Sequence, residues 1–231
     1  MKNKWIGVRL LAALALPAYA QEKEEQRVEN AGTAMKEILN QSDSIPQSVL
    51  DKADCVVVLP SVKKFAIGIG GSYGRGVMTC RGGKEFQGKW GAPTMMALEG
   101  ASAGLQLGGE ATDFVLLLMN SKAASGILTS KVKLGGDASA AAGPVGRTAS
   151  AETDVMLKAD ILSYSRAKGA FAGISLEGST LRPDNDANKN LYGKQMDAKE
   201  IVLGGTVAPP PSAETLLATL DKASPVNKSK S

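Results

Sequence analysis

The 231-residue sequence contains no histidine. Without an imidazole there is no Ser-His-Asp triad, no Cys-His dyad, no histidine-ligated zinc and no switch titrating near neutral pH. Most hydrolase and metalloenzyme chemistries are thereby excluded. An excess of one charge is also lacking: 27 Lys and Arg stand against 23 Asp and Glu, a formal net charge of +4. That field is too weak for a nucleic-acid binder, which must neutralise several phosphates at once. Neither a P-loop nor a G-x-G-x-x-G fingerprint occurs, and no cofactor or metal is expected.

What is present begins with an export signal. Lys2, Lys4 and Arg9 precede the apolar run Leu10–Leu16, and Ala18-Tyr19-Ala20 closes the segment as an A-x-A site. Cleavage between Ala20 and Gln21 is expected, with a periplasmic or secreted, membrane-associated product. The run is well short of the roughly 20 residues of a membrane span, so no transmembrane segment is expected in the mature chain. The first twenty residues hold three bases and no acid, so removing them lowers the net charge from +4 to +1. Any attraction to an anionic partner must then be local.

Residues 21–44 form the next segment, where Val28, Ala31, Met35 and Ile38 at helical spacing predict an amphipathic helix over 22–41. Ile45–Ala53 reads as a short helix or turn. From Cys55 the texture becomes short β runs broken by glycine: 55–59, 65–69, 76–80, 93–98, 104–107 and 114–119, with a further candidate at 131–134. The runs 161–165 and 170–176 flank a hairpin turn at 166–169. Pro209–Pro211 is a spacer before a last helix, 213–220, with Ser212 as N-cap, Leu216, Leu217 and Leu220 on one face, and a frayed tail after Ala223. The pattern predicts one α+β domain: a glycine-rich, twisted antiparallel sheet, curling towards a barrel, flanked by N- and C-terminal helices.

Three local motifs invite chemistry that the rest of the chain does not complete. Gly100-Ala-Ser-Ala-Gly104 matches a nucleophile elbow but has no base to activate Ser102. Ser165-Arg-Ala-Lys168 matches S-x-x-K, as do Ser61–Lys64 and Ser130–Lys133, yet neither S-D-N nor K-T-G accompanies them. Asp184, Asp186 and Asn188 begin a calcium-loop pattern that fails at Lys189 and Gln195, so a polar loop is the simpler reading. No catalytic residue is assigned. Cys55 and Cys80, in a chain bound for an oxidising compartment, are either bridged or two buried thiols.

One charge pattern survives. If 55–80 is an up-and-down meander with the next strand near Pro93, the loops 60–64 and 81–89 share one end of the sheet. That end would gather Lys63, Lys64, Arg81, Lys84 and Lys89 against Glu85, with Arg75 at the opposite end. Such a rim either holds an anionic headgroup or is an ordinary solvated surface.

Several separated segments together resemble the SYLF domain family, the lipid- and actin-binding domain of yeast actin-patch proteins and their animal relatives. They are Ala53-Asp-Cys-Val-Val-Val-Leu-Pro60, Gly70-Gly-Ser-Tyr-Gly-Arg-Gly76, Trp90–Gly100, Gln106–Asp113, Leu134–Asp137, Ala142–Arg147, Tyr164-Ser-Arg166, Phe171–Gly178 and Asn188–Gly193. The resemblance covers residues 45–205, leaving 206–231 as spacer, helix and tail. It implies a non-enzymatic domain that binds membrane lipid, phosphoinositides in eukaryotic members, and the signal peptide places this chain with the exported bacterial branch. Residues 22–41 carry five acids against three bases, unlike the basic amphipathic segment ahead of the eukaryotic domain. The expected ligand is therefore an anionic bacterial phospholipid such as phosphatidylglycerol or cardiolipin, with the five-residue rim on its phosphate. Actin is not an expected partner of an exported protein. An envelope scaffold binding protein through the N-terminal helix and the Leu216/Leu217/Leu220 face is the alternative.

Overall fold

The computed structural model describes residues 6–67, 69–102, 111–146, 158–167 and 170–229, with side chains at these positions except 6–17, 64–67, 69–70 and 101–102. Its centre is set by two runs without a polar break, 55–59 and 114–118. Successive side chains of a strand point to opposite faces, so such a run is stable only if both faces are covered. Val56, Val58, Val115 and Leu117 enter one core, whereas Cys55, Val57, Leu59, Phe114, Leu116 and Leu118 enter a second on the other face.

The strands are β1 (Cys55–Ile67), β2 (Ile69–Cys80), β3 (Thr94–Ser102), β4 (Ala111–Leu118), β5 (Val132–Lys133), β6 (Ala140–Ala142), β7 (Ile161–Ala167), β8 (Ala170–Gly173) and β9 (Thr180–Pro183). They form one sheet in the order β5-β9-β3-β2-β1-β4-β7-β6, with β8 pairing β7. Every pairing is antiparallel except β6 with β7. The sheet curls into a half-barrel, as the glycine-rich pattern predicts. The β7–β8 hairpin stands where it is expected, although residues 168 and 169 of its turn lie outside the described residues, as does the strand expected at 104–107.

Among the described residues, six α-helices cover the sheet: α1 (Ile6–Leu39), α2 (Gln47–Leu50), α3 (Ser121–Thr129), α4 (Asn185–Tyr192), α5 (Ala198–Leu203) and α6 (Glu214–Ala223). Helix α1 begins well before residue 22 and runs unbroken through Ala20 and Gln21. Its stripe of Val28, Ala31, Met35 and Ile38 is fully buried in the first core, where Leu216 and Leu220 of α6 meet it. Helices α3 and α5 cover the other face through Ile127, Leu128, Ala198 and Val202. Among the described residues, no helix is long and apolar enough to cross a membrane.

Four local expectations are corrected. Residues 60–64 belong to β1 and are no loop: Pro60, which has no N–H to give a ladder, sits in a bulge between Leu59 and Val62. There Ser61 adopts a left-handed φ of 54° and donates its N–H to Asp113 at 2.8 Å. Residues 184–188 are not the expected polar loop but the start of α4, which Asp184 caps by accepting from the N–H of Ala187. Ser212 is not an N-cap, since a 3-10 turn at Pro211–Ala213 leads into α6 and its hydroxyl is buried without a partner. Residues 224–229 are not frayed. Ser224 and Asn227 are buried, the latter donating to Asp54 at 2.8 Å and to the Phe86 carbonyl at 3.0 Å, and Lys228 pairs with Asp51 at 2.8 Å.

Candidate functional site

The bulge decides where the expected basic rim goes. Because β1 continues to Ile67, Lys63 and Lys64 lie in the outer half of the β1–β2 hairpin, opposite Tyr73 and Ser72. Arg81, Lys84 and Lys89 follow β2 at the other end, beside Cys55 and Cys80, about 25 Å away along the strand. The five residues therefore do not converge. Arg81 is only 1% exposed: its guanidinium lies 4.3 Å over the Trp90 ring and donates to the Ala53 carbonyl and to Ser224 Oγ, at 3.1 and 2.6 Å. It holds the C-terminal segment in place, while Lys84 and Lys89 are exposed near it. Cys55 and Cys80 face each other in register and are joined by a disulfide.

Lys63 instead joins a different set of cations. Between α1 and the hairpin is a cavity of about 350 Å³ lined by Lys23, Arg27, Pro60, Ser61, Lys63, Tyr73, Gly74 and Arg75. Arg75, expected at the far end from Lys63, shares its wall. The site has an acidic foundation. Glu24, buried at 3% exposure, pairs with Arg27 and lies 3.4 Å from Arg75, and Arg75 also pairs with Asp184 at 2.6 Å. Burial, and next the neighbouring Arg75, push the Arg27 guanidinium below its ordinary value. Four cations against two carboxylates leave a surplus of two positive charges. Lys23 and Lys63 carry it, neither side chain having a hydrogen-bond or ion-pair partner among the described residues.

Each wall has a local cause. Glu24 falls in helical register with Val28, Ala31, Met35 and Ile38, so the apolar stripe of α1 begins with a carboxylate that must find cations. Lys23 and Arg27 flank it on the same helix. The bulge beneath Pro60 and Ser61 opens the space, and Asp184, fixed by capping α4, orients Arg75. Lys23, Arg27 and Arg75 are the residues that charge patterning along the strands does not reveal. A carboxylate inside an apolar helical stripe is the signal that points to them.

A second cavity, about 240 Å³ and lined by Lys122, Lys131, Asp137 and Asp160, has balanced charge. Burial opposes ionisation of Asp160, but hydrogen bonds from Asn120 and Ser139 outweigh it and hold the carboxyl below its ordinary value. Among the described residues, no three His, Cys, Asp or Glu side chains cluster as a metal site would require.

The fold and cavity define an α+β half-barrel domain with a recess lined by four cations under its N-terminal helix. The chain belongs to the Ysc84 family, described as Las17-binding protein actin regulator, whose model matches residues 99–223. An SH3 domain-containing protein of Schizosaccharomyces pombe is 40% identical over 190 residues, which are 80% of this chain and 43% of that protein. LAS seventeen-binding protein 3 of Saccharomyces cerevisiae is 36% identical over 77% of this chain and 38% of its own length. The human SH3 domain-containing YSC84-like protein 1 is 32% identical, over 77% and 51% respectively. The chain thus spans about two fifths to one half of these relatives. The four cations of the cavity all precede the residues matched by the family model.

Proposed function

We propose that this chain is an exported, non-catalytic lipid-binding protein that takes an anionic phospholipid headgroup into the cavity between α1 and the β1–β2 hairpin. The observation that carries this reading is the uncompensated pair Lys23 and Lys63 above two arginines already oriented by Glu24 and Asp184. A phosphate there meets donors that are held in place and need little reordering. Arg27 also gains, because an anion relieves its repulsion with Arg75. Cleavage after Ala20 would leave Lys23 close to the new N-terminus, so the site belongs to the mature chain.

The relatives' printed names speak of binding to LAS seventeen, and the family description of an actin regulator. For an exported chain actin is not the partner we propose. A protein-partner reading also cannot use the expected leucine face, since Leu216 and Leu220 are fully buried against α1.

Co-sedimentation of the chain with phosphatidylglycerol and with phosphatidylcholine vesicles, at low and high salt, tests the proposal. Binding to the anionic vesicles alone, weakened by salt, is expected. A basic residue near an anionic surface contributes about 1 kcal/mol. Reversing two of them, Lys23→Glu with Lys63→Glu, is therefore expected to weaken binding at least about tenfold. Lys84→Glu with Lys89→Glu should leave it nearly unchanged. Equal loss in both pairs, or none in the first, overturns the cavity assignment. Absence of binding to either vesicle overturns lipid binding and leaves the protein partner as the leading reading.

A further inference from the structure

We infer that the smaller cavity, between α3 and the turn after β5, is a binding site for a small apolar carboxylate. Its volume of about 240 Å³ exceeds the roughly 150 Å³ in which an apolar cavity takes up benzene, so one ring with a short acid arm fits. Ala123, Val132 and Ala138 are buried and give it an apolar floor, with Lys122, Lys131 and Asp137 exposed around them. None of these residues lines the basic cavity, and the inference does not rest on the lipid-binding reading. Gly126 is the observation that points to an occupant. It stands inside α3, where glycine is the least favourable residue after proline. No left-handed φ and no close approach requires it: a Cβ there would meet only Val132 Cγ2, at an ordinary 3.9 Å. Both residues line the cavity, so a side chain at 126 would enter that space, and glycine keeps it open.

The walls are tied together by the protein's own bonds. Asn120 caps α3 by accepting from the Ala123 N–H at 2.9 Å, and its Nδ2 donates to Asp160 at 2.8 Å. The N–H and hydroxyl of Ser139 donate to the other oxygen of Asp160 at 2.9 and 2.7 Å, and Asp137 accepts from the Lys133 N–H at 2.8 Å. A pocket held in this way needs little reordering to bind. Formal charge at its mouth balances, but hydrogen-bonding capacity does not. Both aspartates already accept from the protein, whereas neither the Lys122 nor the Lys131 side chain has a hydrogen-bond or ion-pair partner among the described residues. The unspent groups are donors, so the polar end that completes them is an acceptor. A carboxylate makes the stronger, charge-assisted bond to an ammonium, while a ligand's own ammonium would meet carboxylates already engaged.

The test compares phenylacetate, phenylethanol and phenylethylammonium, which share a ring and differ in the polar end. Each is titrated into the isotope-labelled full chain, and amide chemical shifts are followed. Saturable shifts at Gly126 and Ala138 are expected, with phenylacetate bound about tenfold more tightly than phenylethanol and the ammonium compound weakest. Lys122→Gln with Lys131→Gln should bring phenylacetate down to the level of phenylethanol. Gly126→Leu is expected to abolish binding of all three at an unchanged or higher melting temperature, since leucine is the better helix former. Equal affinity for acid and alcohol, or tightest binding of the ammonium compound, overturns the inference. Undiminished binding by the Gly126→Leu chain does the same. Phenylacetate shifts gathered at Gly74 instead of Gly126 would put the acid in the basic cavity and overturn it too, as would the absence of any saturable shift.

Discussion

At the scale of single residues, the positions that matter most are those where two segments approach too closely for a side chain. A Cβ at Gly76 would lie 2.0 Å from the Val58 carbonyl oxygen and 2.7 Å from Leu59 Cα, because the bulge at Pro60 presses β1 against β2. Backbone cannot yield as a flexible side chain does, so Gly76→Ala is expected to lose about 1–3 kcal/mol. A melting-temperature drop of roughly 2–4 °C per kcal/mol is the readout. Asp51 has a different sensitivity. Burial by itself would raise its carboxyl, but hydrogen bonds from Lys228, Ser224 and Gln47 outweigh it and hold it below the ordinary value. A carboxyl lowered on folding contributes stability above its unfolded value near 3.9, and that contribution is lost as pH falls through the folded value. Asp51→Asn should therefore be less stable than the unchanged chain at pH 7, with the gap closing below about pH 4. Urea midpoints across that range measure it.

At the scale of elements, the disulfide and the C-terminal segment close the same end of the sheet. Cys55 and Cys80 join β1 to β2, and immediately beyond them Arg81 N–H donates to the Asp54 carbonyl at 3.0 Å. The Trp90 indole N–H and Arg81 both reach Ser224, which in turn donates to Asp51 at 2.6 Å. The crosslink spans 25 residues of sequence, and in the chain-entropy account a loop of that size contributes about 3 kcal/mol. Cys55→Ala with Cys80→Ala should accordingly lower the melting temperature by about 6–12 °C. Lipid binding should survive, since the cavity lies in the opposite half of the hairpin. A variant that melts normally would show that the surrounding network holds this end without the crosslink.

At the scale of the whole molecule, covered and open regions are separated by function. Both faces of the central strands are buried, and the disulfide end is sealed by the C-terminal segment. The basic cavity lies in the other half of the β1–β2 hairpin. With a net charge of +4, or +1 without the first twenty residues, the molecule as a whole exerts little long-range pull. Attraction depends on where Lys23, Lys63 and the two arginines are gathered. On the proposed reading, salt sensitivity of vesicle binding should therefore report on that cavity more than on net charge.

The sequence alone determined the fold class and most of the elements. Unbroken apolar runs at 55–59 and 114–118 require strands covered on both sides, and helical spacing from Val28 to Ile38 requires a helix laid on a core. Absence of histidine removes the imidazole chemistries, and the ordered motifs identify the family. Local pattern could not say whether Pro60 ends a strand or bulges one, because proline denies the ladder an N–H in either case. That single ambiguity moved Lys63 and Lys64 from the Arg81 end of the sheet to the other. Nor could it foresee the fate of residues 224–228, whose small and polar side chains resemble a free tail until Arg81, Asp51 and Asp54 stand ready to bind them. Tertiary structure alone decided that Lys23, Arg27, Lys63 and Arg75 meet, because the contacts joining α1, the β1–β2 hairpin and the cap of α4 span 160 residues of sequence, from Glu24 to Asp184.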